Sequence, residues 1–307
     1  MKWILIIFVS FSISAEEIKQ VKLQDYEPNL VGYTFDSDDE EFFLDFKLSL
    51  MYPIAKDFIK SQSNNHYFSF IKRACVNKYI KSCFPYFAFT GRFGQYIEER
   101  NSSPVISKRF NPKIFFRFEL TDGYVDLEYA HESNGQRIVS QNSWNSMADD
   151  FENDGEKRSY ANDYISRGWD YFGVTYKKEK INENLSIYVN YQKYFGGLLQ
   201  GDIEEYFDWE ADRKIKQRAM VNGLKLLLKT EGDGLFQLPW LNGYKFSLIL
   251  ETGTTHPFKY GTVKVEALTN IFGMPTLFWT RKGYSADFAQ YYKNIESYGV
   301  AFEFLTF

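Results

Sequence analysis

The chain has 307 residues, a formal net charge of −4 and a mean hydropathy of −0.40. That charge excludes a general nucleic-acid binder, which needs a basic face to neutralise phosphates. Aromatic residues make up 19% of the chain, with 30 Phe and 23 Tyr, more than a globular core calls for and in keeping with the aromatic girdles of a transmembrane barrel.

In chain order, Met1-Lys2 is followed by an apolar run from Trp3 to Ile13 and by Ser14-Ala15 before Glu16-Glu17. A basic start, a short apolar core and small residues at its end predict a signal peptide over residues 1–15. The run is far shorter than the roughly 20 residues that a membrane-spanning helix needs. Residues 16–307 are then expected to form one large all-β domain.

Asn29–Phe35 is expected as the first strand, with an acidic turn at Ser37–Glu40. Phe42, Leu44, Phe46, Leu48 and Leu50 then share one parity, and Asp45, Lys47 and Ser49 the other. Side chains along a strand alternate between its faces, so this pattern predicts a strand that is apolar outside and polar inside, as in a membrane barrel. Tyr52–Ser82 breaks the pattern; we expect an insertion at about residues 54–82 on the periplasmic side, with helical stretches at Ala55–Ile59 and Phe68–Ile80. Cys75 and Cys83 lie at its end, suited to a short-loop disulfide in an exported chain or to remaining free thiols, and the sequence does not choose.

Alternation resumes over Phe84–Ile97 and, after a polar loop at Glu98–Lys108, over Lys113–Leu120. Thr121-Asp122-Gly123 is a hairpin signal leading into the strand Gly123–Ser133. Residues 136–163 are polar and are expected as a long exposed loop. Strand character returns at Ile165–Tyr176 and Leu185–Phe195, then a second, acidic loop spans about residues 196–213. Further strands are expected at Lys216–Lys229, Tyr244–Glu251, Lys259–Leu268, Phe272–Arg281 and Ser297–Phe307. The predicted fold is thus all-β, a 12-stranded antiparallel transmembrane β-barrel, an even strand number as closure requires. A soluble β-sandwich shares the alternation, but it explains neither the outward Phe and Tyr residues nor the pairing of long loops with short turns.

One strand carries chemistry. Val125, Leu127, Tyr129, His131 and Ser133 share a face, while Asp126, Glu128 and Glu132 point the other way. A base and a hydroxyl on an apolar face make sense if that face meets lipid and the substrate is lipid. Ester hydrolysis needs a nucleophile, a base to take its proton and a group that holds the base in its working tautomer. Two residues along a strand lie about 6.5–7 Å apart, within reach of a His–Ser hydrogen bond. For the third member, Asn145 sits in the polar loop, whereas Asp170 lies at the end of the next strand on the face of Phe172 and Val174. Periodicity favours Asp170, because a carboxylate facing lipid needs a partner. His66 and His256 have no partner that the sequence identifies.

These residues resemble the outer membrane phospholipase A family of bacterial acyl hydrolases. The likeness rests on His131-x-Ser133-Asn134-Gly135 and on Ser166-Arg167-Gly168-Trp169-Asp170. It rests also on Asn101-Ser102-Ser103-Pro104, with Asn111-Pro112 after it. The resemblance implies a barrel in the outer membrane of a Gram-negative bacterium, with its active site toward the exterior. It implies phospholipid and lysophospholipid substrates, Ser133 as nucleophile, His131 as base and the Gly135 N–H in the oxyanion hole. It further implies calcium bound between the protomers of a homodimer. The ligands would be the Gln136 carbonyl, the Ser166 hydroxyl and the carbonyl of Ser102 of the partner subunit, with a second site at Asp202. Hard oxygen ligands suit that cation. Three departures stand out: Asp170 where well-known members have Asn, Gln136 where they have Arg, and a longer loop from Gly135 to Ser166. That loop keeps Ser143-Trp144-Asn145 as a rival alignment. The competing reading is a non-catalytic porin or adhesin barrel in which His131 and Ser133 are surface residues.

Overall fold

The computed structural model describes residues 23–37, 41–54, 75, 79–96, 105–195, 207–210, 214–233 and 241–304. Among these, alternating segments become β1 (Gln24–Asp25), β2 (Asn29–Asp36), β3 (Glu41–Pro53), β4 (Ser82–Tyr96), β5 (Ile106–Leu120), β6 (Gly123–Ser133) and β7 (Gly168–Asn182). The remainder are β8 (Leu185–Phe195), β9 (Gly223–Gly232), β10 (Leu241–Gly253), β11 (Gly261–Ile271), β12 (Met274–Gly283) and β13 (Ile295–Phe304). Each pairs antiparallel with its chain neighbour from β2 onward, and β13 returns to β2, so β2–β13 close a 12-stranded barrel. The two-residue β1 prolongs the β2 edge along β3, with Asp25↔Leu50 following Leu30↔Lys47. The interruption between them is bridged by a side chain, because Ser49 N donates to Asn29 Oδ1 at 2.6 Å.

The alternation sorts polarity between the faces. Tyr33, Phe42, Ile114, Phe116, Leu127 and Phe172 are exposed on the outside, at 47–56%. So continuous an apolar band is far larger than a water-soluble monomer carries, and it is the outer face of a membrane barrel. No helix among the described residues is long and apolar enough to cross a membrane; the strands do the crossing. Inside, the inward residues of β5 and β6 pair in a ladder: Arg117–Asp126 at 2.7 Å, Lys113–Glu128 at 3.2 Å and Arg109–Glu132 at 2.6 Å. Buried charges persist only when paired in this way.

Tight turns at residues 120–123, 182–185 and 271–274 mark one end of the barrel, which also carries the 53–82 connection, and the connections 133–168, 195–223 and 283–295 lie at the other, the loop end. At that loop end, the segment expected as an unstructured loop over residues 136–163 instead contains helix α1 (Gln141–Asn153) and a 3₁₀ helix at Arg158–Tyr164. Ser140 caps α1 and exchanges hydrogen bonds with Ser143 in a capping box, the reciprocal arrangement that satisfies two free N–H groups. Trp144, Met147, Ala148 and Phe151 fall at i, i+3, i+4 and i+7, one helix face. They pack with Ile138, Tyr164, Ile165 and Phe207. Tyr160 Oη donates to Glu41 Oε1 at 2.7 Å and Gln290 Nε2 to Asp163 Oδ1 at 2.6 Å, pinning this cap to the rim. Inward-facing Trp169 packs with Ile215, Val221, Phe288 and Tyr291 at the same end of the barrel.

Other boundaries also moved. β5 begins at Ile106, well before the expected Lys113. β9 begins at Gly223, after the expected Lys216, because Arg218–Met220 turns into the lumen as a short 3₁₀ helix. Cys75 and Cys83 form a disulfide with Cα atoms 5.1 Å apart, which resolves the choice that the sequence left open. Of the helical stretches expected at Ala55–Ile59 and Phe68–Ile80, only Cys75, Tyr79 and Ile80 are among the described residues; Cys75 is helical, and Tyr79 and Ile80 are not.

Candidate active site

β6 and β7 pair with His131 opposite Asp170 and Ser133 opposite Gly168. Leu127, 47% exposed, and Phe172, 56% exposed, fix which parity of each strand faces outward. His131, Ser133 and Asp170 share that outward parity. His131 Nδ1 and Asp170 Oδ1 lie 2.7 Å apart. With the Nδ1 proton donated to the carboxylate, Nε2 is left as the acceptor, the tautomer a general base requires.

Asp170 is wholly buried despite its outward parity, while the imidazole keeps 19% exposure. Phe195 stands opposite Asp170 on β8. The rings of Tyr129, Phe172 and Phe195 pack on one another with centroids 4.9–6.3 Å apart. This aromatic wall adjoins the carboxylate on its membrane side and excludes solvent there. Among the described residues no hydrogen bond joins Ser133 Oγ to the imidazole. Such bonds commonly tighten only when substrate binds.

Beyond Ser133 the chain turns sharply, and Asn134, 1% exposed, holds that turn. Its Nδ2 donates to Ile165 O at 2.7 Å, and its Oδ1 accepts from Arg167 N at 2.9 Å and Gln136 N at 3.3 Å. The Asn134 N–H donates to Arg167 O at 3.1 Å. Gly135 adopts φ +59°, a left-handed conformation that glycine takes without strain. Farther on, Ile138 N donates to Tyr164 O and Ser166 N to Ile138 O, at 3.0 and 2.9 Å. The segments bearing Gln136 and Ser166 are therefore fastened side by side, next to Ser133.

The other sequence-derived candidates separate. Asn145 lies exposed on α1, part of the cap, whereas the partner of His131 is Asp170. From the start of the following 3₁₀ helix, Arg158 bridges Asp149 and Glu152 of α1, and their hydrogen bonds raise its guanidinium pKa. Ser102 and Asp202 lie outside the described residues. Among the described residues no group of three His, Cys, Asp or Glu side chains is placed to hold a metal. Gln136 and Ser166 bring neutral oxygens to segments fastened side by side, ligands of a kind that suits a hard cation.

Sequence reasoning missed the supports behind this face. Glu132, between His131 and Ser133, points inward and is held by Arg109 at 2.6 Å and Arg218 at 3.5 Å. Its cross-strand neighbour Trp169 packs edge-on against Phe288 and Tyr291. Arg218 comes from a turn whose contacts have no periodic signature.

No protein-family model matches the chain, and no curated protein matches it. Solved structures do. Outer membrane phospholipase A from Escherichia coli is similar at 15% identity with a TM-score of 0.58, over 96% of each chain. The Salmonella typhi outer membrane phospholipase dimer with bound calcium is similar at 16% identity with a TM-score of 0.57, over 93% of this chain and 94% of that one. At such identities the likeness establishes a shared barrel fold, with the outward His131–Asp170 pair as this chain's own evidence of chemistry.

Proposed function

We propose that this chain is an outer-membrane hydrolase that cleaves acyl esters of phospholipids and lysophospholipids. The observation that carries the proposal is the 2.7 Å bond between His131 Nδ1 and Asp170 Oδ1 on the outer, apolar face, one alternation from Ser133. Ser133 is the nucleophile, His131 takes its proton and returns it to the leaving alcohol, and Asp170 holds the tautomer and stabilises the imidazolium. An acyl-Ser133 ester forms and water then cleaves it. The Gly135 N–H, in the turn held by Asn134, donates to the developing oxyanion. The site stands at the loop end of the strands, where a barrel of this kind faces the cell exterior.

Calcium fits the neutral oxygens of Gln136 and Ser166 as one half of a site completed by a second copy, in keeping with the calcium-bound dimer of the Salmonella typhi protein. When bound, the cation adds positive charge beside the oxyanion. A porin reading leaves the outward His131–Asp170 bond without a role.

The test is fatty-acid release from phospholipid by protein refolded in detergent. Ser133→Ala is expected to lose at least a thousandfold; equal rates for variant and wild type overturn the proposal.

A further inference from the structure

Asn111-Pro112 belongs to the motifs of this chain, yet neither residue has a part in the proposed reaction. On β5 the register runs from Phe110↔Ser133 directly to Lys113↔Ala130. Continuity between those pairs sets Pro112 opposite His131 and Asn111 opposite Glu132, the rungs where regular pairing lapses. The cause is chemical. Proline has no N–H, so the carbonyl of His131 loses the donor that any other residue at 112 would supply.

Asn111 replaces it. The side chain is 5% exposed and faces inward, and its Nδ2 donates to His131 O at 3.1 Å. Its Oδ1 accepts from Tyr171 Oη at 3.2 Å. Tyr171 is wholly buried and directly follows Asp170. One amide therefore ties the backbone of the base-bearing residue to the strand that bears its carboxylate, from the lumen side of the wall.

We infer that Asn111 is a positioning residue for the proposed hydrolase, filling the gap left by Pro112 to hold the His131 backbone at the height of Asp170. This rests on the function proposed above. A general base must be placed to within a fraction of an ångström, and a shift of about 1 Å can cost a hundredfold in rate. An unpaired His131 carbonyl is free to turn, and the imidazole turns with it.

The logic predicts a rescue. Asn111→Ala removes the substitute donor, whereas Pro112→Ala restores the backbone N–H that proline lacks. Three readouts apply to protein refolded in detergent: phospholipid kcat and KM, the rate at which a sulfonyl fluoride labels Ser133, and the low-field proton resonance of the His131 Nδ1–H. Asn111→Ala is expected to lower kcat and the labelling rate at least tenfold with KM nearly unchanged, and to shift the imidazole resonance. Asn111→Ala/Pro112→Ala is expected to return all three to within about threefold, or to the starting shift, with Pro112→Ala alone close to wild type. An Asn111→Ala protein indistinguishable from wild type overturns the inference. So does a double variant as impaired as the single one, which would make Asn111 a packing residue only. A wild-type chain that is neither labelled at Ser133 nor hydrolytic sinks the hydrolase proposal instead, and the resonance then still reads whether Asn111 holds His131.

Discussion

Glu132 and Trp169 stand directly opposite each other on the lumen side of β6 and β7. Each is the sequence neighbour of a member of the outward pair, Glu132 following His131 and Trp169 preceding Asp170. Arg218 joins them: its guanidinium lies 3.5 Å from Glu132 Oε1 and 5.3 Å from the Trp169 ring. An outward site is thus braced by an inward cluster one strand-thickness behind it.

That arrangement makes Glu132 a stability residue. It is fully buried between two arginines, so Glu132→Gln leaves two cations against a neutral amide. Removing one partner of a buried ionic group costs about 3–5 kcal/mol, and less is expected here because Arg109 is 38% exposed and gains water. We expect a loss of about 2–3 kcal/mol in urea unfolding from lipid vesicles. A variant as stable as wild type would show that the cluster does not brace the wall.

Asp170 and Asn145 make opposite predictions. Asp170 is bonded to the His131 imidazole, while Asn145 is exposed on the cap. Asp170→Ala removes control of the imidazole tautomer and is expected to lower phospholipid turnover at least a hundredfold. Asp170→Asn keeps an acceptor oxygen but loses the charge that stabilises the imidazolium, and should fall between Asp170→Ala and wild type. Asn145→Ala should stay within about twofold, as expected of an exposed position away from the chemistry. Steady-state kinetics on the three variants decide it, and a larger effect at Asn145 would overturn the assignment.

The barrel was legible in the sequence because its signal is a period of two: from Leu44 to Leu50 apolar and polar residues alternate without a break, and β3 turns them outward and inward in that order. The pairing of Asp170 with His131 was legible for a related reason, since a carboxylate on an apolar parity demanded a partner. Helix α1 was not read, although Trp144, Met147, Ala148 and Phe151 carry its period, because Asp149, Asp150 and the residues around them make the segment polar overall. Its helical face is covered by Ile138 and Tyr164 from the flanking segments and by Phe207 from a later loop. Arg218 and Asn111 were invisible as supports for a different reason. Their partners are fixed by register and by a lumen-directed turn, neither of which a single chain spells out.

Calcium dependence gives a third test. In the proposed site one chain contributes the neutral oxygens of Gln136 and Ser166, and a second copy completes the coordination. Chelation is expected to abolish turnover, and activity per molecule should rise with protein concentration in detergent. Ser166→Ala should weaken the calcium response, whereas Gln136→Ala should not, because a backbone carbonyl is unchanged by truncation of its side chain. Undiminished activity in chelator, at any dilution, would remove the shared cation from the proposal.

Asn134 separates a clasp from a bystander. Its carboxamide makes three hydrogen bonds: two cross to the segment leading into β7, donating to Ile165 O and accepting from Arg167 N, and one accepts from Gln136 N within its own turn. Asn134→Ala strands those groups in a buried setting, at about 1–3 kcal/mol for each one left unsatisfied. Asn134→Asp is no gentler. It keeps both acceptor contacts, but it sets a carboxylate oxygen against Ile165 O, where the nitrogen now sits at 2.7 Å. Both variants are therefore expected to lose turnover at least tenfold and to raise the calcium concentration for half-maximal binding by a similar factor. Titration calorimetry on the refolded protein measures the second quantity without reference to catalysis. If Asn134→Asp binds calcium and turns over as wild type does, the donor bond to Ile165 is dispensable and the turn is held by its backbone alone.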